Sequence, residues 1–267
     1  MEPSPLRLLP PSAWRGITAL LFDVDDTLTT DGALLPDAYR ALWAARAAGL
    51  WTCAVTGRGA GWCDLMVRLF PVDAVVGETG AFVYEKLPDG RIREAFLRSA
   101  AQRRDDDRRR WRAVAAVQKR FPEARIARDT AFRLCDTALD LKEDGPPVAD
   151  ADARAMMALL QARGLTVARS SVHINAWVGD YGKREMVQAL LARRRIRRDR
   201  AVYVGDSRND GPLFAFFPHS VGVANVAPLL DELRARSEAP RWITRRRGGL
   251  GFAEVVRTLG AHRRGRA

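Results

Sequence analysis

The stretch that decides the fold is Ile17–Thr27, with the sequence ITALLFDVDDT. Its first half is an almost unbroken apolar run, which is typical of a strand covered on both faces in a parallel sheet. Asp23 and Asp25 follow where this strand ends. Ligands of open α/β sheets bind beyond the carboxyl ends of the strands, so both carboxylates are expected to face a site.

The spacing of these two carboxylates indicates a metal site. In an extended segment, residues two apart lie on one face, where two anions repel each other unless a cation lies between them. Carboxylate oxygens favour Mg²⁺ over zinc. The alternative from sequence alone is that Asp25, Asp26 and Thr27 cap a following helical turn.

Strand and helix patterns alternate around this stretch, which indicates a parallel sheet with crossover helices. We expect a helix over 36–48, a strand over 50–55, a helix with an apolar face and a strand over 72–76. That apolar face is expected to comprise Trp62, Leu65, Met66 and Leu69. The pattern resumes after Lys183, and we therefore predict an α/β fold with a doubly wound, Rossmann-like parallel sheet.

The middle of the chain has a different pattern. Pro88-Asp89-Gly90 is a turn signal between two strand-like segments, which predicts a hairpin. Helices and short strands follow, and this grouping indicates an α+β module inserted into the sheet domain. We predict core segments over 12–82 and 179–260, an inserted α+β cap domain over 83–178, and flexible termini at 1–11 and 261–267.

Composition excludes several classes of protein. The 267 residues are 47% hydrophobic and 28% charged, which is the balance of a globular protein and not of a disordered one. No apolar stretch approaches the roughly 18 residues of a membrane span, and we expect no secretory signal because Asp23 ends the apolar stretch at 17–22. We expect a cytoplasmic protein with no membrane partner. Three cysteines without metal-ligand spacing are expected to be reduced thiols.

The net charge of +12 raises nucleic-acid binding as an alternative, because a basic surface attracts phosphate backbones. Only four of the 44 basic residues are lysine, a skew towards arginine that GC-rich coding produces without selection for binding. The arginines are also dispersed along the chain. We therefore expect no specific nucleic-acid partner.

Three further motifs follow predicted strands or open a helix. Thr56 and Gly57 end the second strand, where a hydroxyl and free backbone N–H groups form a phosphate cradle. Lys183 opens the helix that follows the middle module. Asp206, Asn209 and Asp210 follow another apolar strand and Gly205, and their side chains would complete a magnesium site.

In order and spacing, the four motifs resemble those of the haloacid dehalogenase-like phosphohydrolases. The matching residues are Asp23-x-Asp25-x-Thr27, Thr56, Lys183 and Gly205-Asp206-x-x-Asn209-Asp210. The inserted module resembles the type II, subclass B cap of Cof-type sugar phosphatases, sucrose-phosphate phosphatase and mannosyl-3-phosphoglycerate phosphatase. The chain departs from these relatives at Glu78-Thr79-Gly80-Ala81, where they carry Asn-Gly, and at Arg184, where they carry glycine.

The resemblance implies a Mg²⁺-dependent phosphatase acting on a phosphorylated sugar, a glycosyl phosphate or a related small phosphomonoester. Asp23, ionised as aspartate ordinarily is, would form an aspartyl-phosphate, and Asp25 would act as general acid and base. Mg²⁺ would be held by Asp23, the Asp25 backbone carbonyl, Asp206 and Asp210. The phosphate would be bound by Thr56, Gly57, Lys183 and Asn209. Substrate choice is assigned to Arg58, Arg133, His173 and Asn175.

The sequence is also compatible with two other functions. A phosphosugar mutase would use the same Asp23 but return the phosphoryl group to a second sugar hydroxyl. A basic nucleic-acid-binding protein is the alternative from a different class. The oligomeric state cannot be inferred from this sequence.

Overall fold

The computed structural model describes residues 2–10, 14, 16–170 and 172–264, with side chains as far as residue 261. The strands within these residues are β1 (Ser4–Pro5), β2 (Ala19–Phe22), β3 (Trp51–Val55), β4 (Ala74–Gly77), β5 (Phe82–Lys86), β6 (Ile92–Phe96), β7 (Arg125–Ile126), β8 (Asp136–Asp140), β9 (Thr166–Arg169), β10 (His173–Trp177), β11 (Ala201–Gly205), β12 (Ser220–Gly222) and β13 (Trp242–Ile243). The helices are α1 (Pro36–Ala47), α2 (Ala60–Leu69), α3 (Ala100–Arg120), α4 (Asp150–Ala162), α5 (Lys183–Arg194), α6 (Gly211–Phe216), α7 (Leu230–Ala235) and α8 (Gly248–Arg264). No described helix is both long and apolar enough to cross a membrane.

The main sheet has the strand order β1-β13-β12-β11-β2-β3-β4-β5-β6 and is parallel except at β5 and β6. Buried residues of α1, α2 and α8 pack on one face of this sheet. Buried residues of α5, α6 and α7 pack on the other face. Helices on both faces explain the continuous apolar run of the central strand β2, and the predicted doubly wound α/β fold is confirmed.

Strand register brings the motif residues to one edge of the sheet. Phe22 of β2 lies opposite Ala54 of β3 on one side and Val204 of β11 on the other. The three strands therefore end at the same level. The residues that follow them, which include Asp23, Thr56 and Asp206, meet at the carboxyl edge as the α/β architecture requires.

The second unit is a four-stranded antiparallel sheet, β7-β8-β10-β9, with α3 and α4 on one face. Alternation along β10 turns Ile174 and Ala176 into the apolar layer under these helices. His173 and Asn175 consequently lie on the opposite face, where they meet the loops at the carboxyl edge of the main sheet. The inserted α+β module is thus joined to the core through a polar face.

The hairpin at residues 82–96 belongs to the main sheet, although we expected it to open the inserted module. β5 pairs with β4 over four residue pairs, from Ala74–Glu85 to Gly77–Phe82, and β6 pairs with β5. Phe82 is completely buried in the main core. A hairpin signal specifies two paired strands but not the sheet that they extend, so the module begins after residue 96.

The amino-terminal segment is anchored, although we expected residues 1–11 to be flexible. β1 pairs in parallel with β13, and Leu6 and Leu9 are buried in the main core. At the other end, the last helix continues through residues 261–264 of the segment expected to be flexible. The remainder of that expectation, at residues 1, 11 and 265–267, lies outside the described residues.

Helix α2 is packed through a face that shares only Met66 with the one expected. Its buried side chains are Ala60, Cys63, Met66 and Val67. Trp62, Leu65 and Leu69 are exposed. The helical period identifies which residues share a face, but α2 lies close against β4 and β5, and this favours its small residues at the contact.

Candidate active site

Lys183 lies at the centre of the candidate site and is buried at the first position of α5. Its ammonium group donates to Asp23 Oδ1 at 2.6 Å, Asp210 Oδ1 at 2.7 Å and Asn209 Oδ1 at 3.2 Å. All three of its hydrogens are therefore used. Burial opposes the charge, but the carboxylates of Asp210 and Asp23 outweigh burial and raise the pKa of Lys183. The lysine is a permanent cation that joins three of the four sequence motifs.

Asp210 shapes the loop that follows β11. Its Oδ2 accepts the backbone N–H groups of Asp206 and Ser207 at 3.0 and 3.1 Å, and its Oδ1 accepts the hydroxyl of Tyr203 at 2.6 Å. A Cβ at Gly205 would lie 2.7 Å from the Asp210 carboxyl carbon, which explains the glycine in this motif. The loop is a compact turn held by one carboxylate.

Three buried carboxylates form a candidate metal centre. Oxygens of Asp23, Asp206 and Asp210 all lie within 4.8 Å of one another. Asp206 is oriented by two hydrogen bonds, from Thr27 Oγ1 at 2.9 Å and from Asn225 Nδ2 at 3.1 Å. A cluster of hard oxygen donors fits Mg²⁺. Because both oxygens of Asp210 already accept several hydrogen bonds, Asp23 and Asp206 are the better direct ligands.

The electrostatics of this cluster also favour a cation. Burial raises the pKa of Asp23 to about 8, with a further contribution from Asp210 and Asp25 and against the effect of Lys183. Burial, followed by the carboxylates of Asp23 and Asp210, raises the pKa of Asp206 well above its ordinary range. Without a metal ion, Asp23 therefore differs from the ordinary aspartate assumed from the sequence. One lysine does not neutralise three carboxylates, and a divalent cation would supply the missing positive charge.

The loop after β3 is the candidate phosphate cradle. Thr56 is completely buried, and its Oγ1 accepts the backbone N–H of Arg58 at 3.1 Å. The carbonyl of Gly57 accepts two hydrogen bonds from the inserted module, from Arg133 Nη1 at 3.0 Å and from Asn175 Nδ2 at 3.1 Å. Arg133 and Asn175, which we expected to select the substrate, thus contact this loop directly.

Asp25 does not place its carboxylate in the metal cluster. The guanidinium of Arg58 donates to this carboxylate from Nη2 at 2.7 Å and from Nε at 3.0 Å. The same guanidinium reaches Glu143 of the inserted module at 2.7 Å, and Glu143 pairs with His173 at 2.9 Å. Arg58 and His173, both expected to contact substrate, therefore belong to a chain of paired side chains that runs from the core into the module.

Two cavities adjoin the cluster. A small cavity of about 10 Å³ is lined by Asp23, Asp25, Gly57, Ser170, His173, Asn175, Ser207 and Asn209. A larger one of about 430 Å³ reaches Lys183 and Asn209 and extends between Trp177 of the module and Arg208 of the core. Of the four residues expected to select substrate, His173 and Asn175 line the small cavity.

Sequence reasoning missed several residues of this site. Tyr203, Asn225, Glu143 and Asp136 all hold a predicted site residue in place. Tyr203 alone carried a usable signal, because a hydroxyl stands inside an otherwise apolar buried strand. The others lie in segments whose contacts with the motifs depend on the tertiary fold.

No protein-family model and no curated protein matches the sequence. Solved structures do match. A protein from Thermoplasma acidophilum is 19% identical, with a TM-score of 0.71, and the alignment covers 91% of this chain and 98% of that one. The sucrose-phosphatase from Synechocystis, in complex with sucrose and phosphate, is 17% identical with a TM-score of 0.60 and coverages of 91% and 98%. A subclass IIB sugar phosphatase of the haloacid dehalogenase superfamily is 14% identical with a TM-score of 0.64 and coverages of 91% and 99%.

Proposed function

We propose that this chain, which has the fold of the haloacid dehalogenase superfamily and the inserted module of its subclass IIB, is a phosphatase of small phosphomonoesters. The observation that carries the proposal is the buried lysine that bridges Asp23 and Asp210, with Asp206 in the same cluster. The sheet edge thus brings together a proposed nucleophile, a fixed cation and a candidate metal centre. Phosphoryl transfer requires these three groups.

Asp23 is the proposed nucleophile. One of its oxygens attacks phosphorus, the bond from phosphorus to the leaving oxygen breaks, and an aspartyl-phosphate forms. The protonated carboxyl of Asp25, released from its ion pair with Arg58, gives its proton to the leaving oxygen. In the second step, Asp25 takes a proton from water, the water oxygen attacks phosphorus, and Asp23 is released with inorganic phosphate.

The remaining residues position these groups. Lys183 and the loop at Thr56–Gly57 would bind the non-bridging phosphate oxygens, and Asn209 holds Lys183 in place. Asp23, Asp206 and the backbone carbonyl of Asp25 would hold Mg²⁺, with Asp210 in support. Bound Mg²⁺ supplies positive charge that offsets the crowded carboxylates and the transferring phosphoryl group.

The substrate class follows from the space beside the site. The small cavity above Asp23 and Asp25 is too confined for a leaving group, whereas the adjoining cavity of about 430 Å³ has the volume of a small-ligand site. Its lining combines charged and aromatic side chains, among them Trp177, Tyr181 and Arg208. This combination supports a sugar phosphate, a glycosyl phosphate or a related polar phosphomonoester.

The three cysteines support the proposed location. Cys53, Cys63 and Cys135 are all free and buried. Burial raises the pKa of Cys53 above its ordinary value, which makes an unreactive thiol. Unpaired thiols are typical of a reducing compartment, so we propose the cytoplasm.

The test is phosphate release from a panel of sugar phosphates, glycosyl phosphates, phosphoglycerate derivatives and an aryl phosphate, with and without Mg²⁺. We expect Mg²⁺-dependent release by the wild type and none by folded Asp23→Asn, whose amide is not nucleophilic. Transfer of phosphate to a second sugar hydroxyl without release would favour a mutase. Salt-dependent binding of nucleic acid without phosphate release would contradict the proposal.

A further inference from the structure

The side chain of Glu78 lies at the joint between the core and the inserted module. It follows β4 in the core, and its carboxylate is completely buried. Oε1 accepts the backbone N–H of Leu134 at 2.8 Å, and Oε2 accepts that of Cys135 at 2.5 Å and that of Asp136 at 2.9 Å. One core carboxylate therefore holds three successive amides of the module, at the point where β8 begins.

The same carboxylate also holds an element of the core. Oε1 accepts the backbone N–H of Ala60 at 3.0 Å, in the first turn of α2, where helix amides otherwise lack partners. Glu78 itself adopts a positive φ of 43° and Thr79 one of 56°, which are uncommon for residues other than glycine. Strain of this kind persists where the surrounding contacts impose it, and here four hydrogen bonds converge on a single side chain.

The segment that Glu78 anchors, residues 134–136, also contacts the side chains that reach the loop at Thr56–Gly57 (the phosphate loop). Asp136 accepts from Arg133 Nη1 at 2.8 Å and from Asn175 Nδ2 at 2.8 Å, one on each carboxylate oxygen. Arg133 and Asn175 both donate in turn to the carbonyl of Gly57. All of these side chains are at least nine-tenths buried, so the hydrogen bonds are formed away from competing water.

We propose that Glu78 is a positioning residue that docks the inserted module onto the core and thereby holds the phosphate loop at Thr56–Gly57 in its binding conformation. Glu78 fixes the backbone at residues 134–136, Asp136 orients Arg133 and Asn175, and these two side chains fix the Gly57 carbonyl. The inference rests on the proposed function for its consequence, phosphate binding. Its structural half, docking through Glu78, does not depend on that function.

The experiment compares Glu78→Gln with a matched control, Glu85→Gln. The glutamine keeps the shape of the side chain but turns an NH₂ group towards backbone N–H donors, which then lose an acceptor. Glu85 is also a completely buried core glutamate, but its carboxylate is held by Arg93, Arg193 and Arg194, away from the module. A general loss of stability would affect both variants.

Two readouts separate docking from general stability. Amide hydrogen exchange at residues 134–136 is expected to rise about tenfold or more in Glu78→Gln relative to wild type, because these amides lose their hydrogen bonds to Glu78. Glu85→Gln should show no selective rise at these residues. Calorimetric titration with inorganic phosphate in the presence of Mg²⁺ is expected to show about tenfold weaker binding in Glu78→Gln alone. A second variant, Asn175→Ala, is expected to weaken phosphate binding without faster exchange at 134–136.

The outcomes are distinct. Unchanged exchange at residues 134–136 in Glu78→Gln would overturn docking through Glu78. Faster exchange there with wild-type phosphate affinity would overturn the positioning role. If the wild type released no phosphate from any substrate, the proposed function would fail, and exchange and phosphate titration would still decide the role of Glu78.

Discussion

Replacing Lys183 with methionine is expected to destabilise the metal-free protein strongly. The substitution keeps the length of the apolar stem but removes the ammonium group, which leaves Asp23 and Asp210 without their buried cation. Loss of one partner from a buried ion pair costs about 3–5 kcal/mol. For a chain of this size, that corresponds to a fall in melting temperature of roughly 6–20 °C.

The assay is urea denaturation in the presence of a chelator, with Lys86→Met as the control. The side chain of Lys86 makes one hydrogen bond, to the carbonyl of Arg68 at the surface, so its replacement should change the free energy of unfolding by less than about 0.5 kcal/mol. Asp210→Asn should lower the free energy of unfolding by less in the Lys183→Met background than in the wild type, because the partner charge is already lost. A loss below about 1 kcal/mol in Lys183→Met would refute the account of this cluster.

Three further results are expected. Tyr203→Phe removes a buried hydrogen bond to Asp210 and should lower the free energy of unfolding by about 1.5–3 kcal/mol in urea denaturation; a neutral effect would show that Asp210 does not depend on this hydroxyl. Mg²⁺ at 100 times its dissociation constant should stabilise the wild type by about 2.7 kcal/mol in thermal unfolding, and Asp206→Asn should lose most of this gain; equal gains would place the ion elsewhere. The 2.9 Å contact with His173, with Arg58 in support and burial opposed, lowers the pKa of Glu143 from its ordinary 4.5 to about 2. The contribution of Glu143 to stability is therefore present above pH 4.5 and is lost as the pH falls towards 2. Acid titration should show this loss in wild type but not in Glu143→Gln, and parallel curves would contradict the pairing.

The sequence predicted the sheet domain well because its signals are local. A continuous apolar run followed by Asp23 identifies both a buried strand and the edge at which it ends. Once the strands are parallel neighbours, the residue that follows β11, Asp206, must approach Asp23. In the structure Asp206 lies beside Asp23, and Lys183 at the start of α5 donates to Asp23. The motif residues could therefore be predicted without knowledge of side-chain packing.

The joint between core and module was not predictable in the same way. Glu78 and Asp136 are separated by 58 residues and carry no periodic signal. Arg133 and Asn175 were assigned to the substrate because they are polar residues of the module, but their partners in the structure are Asp136 and the Gly57 carbonyl. The tertiary fold decides which buried polar groups form hydrogen bonds with each other.

The most direct test of the central claim is detection of phosphate on Asp23. Asp25→Asn, which lacks the proposed acid and base, would be mixed with an aryl phosphate and Mg²⁺, quenched in acid and digested for mass spectrometry. An aryl phosphate has a good leaving group, so the first step should proceed while the second is slowed. We predict a phosphorylated peptide that contains Asp23 and is absent from Asp23→Asn. Turnover by the wild type with no phosphate on the Asp23 peptide in Asp25→Asn would contradict the account.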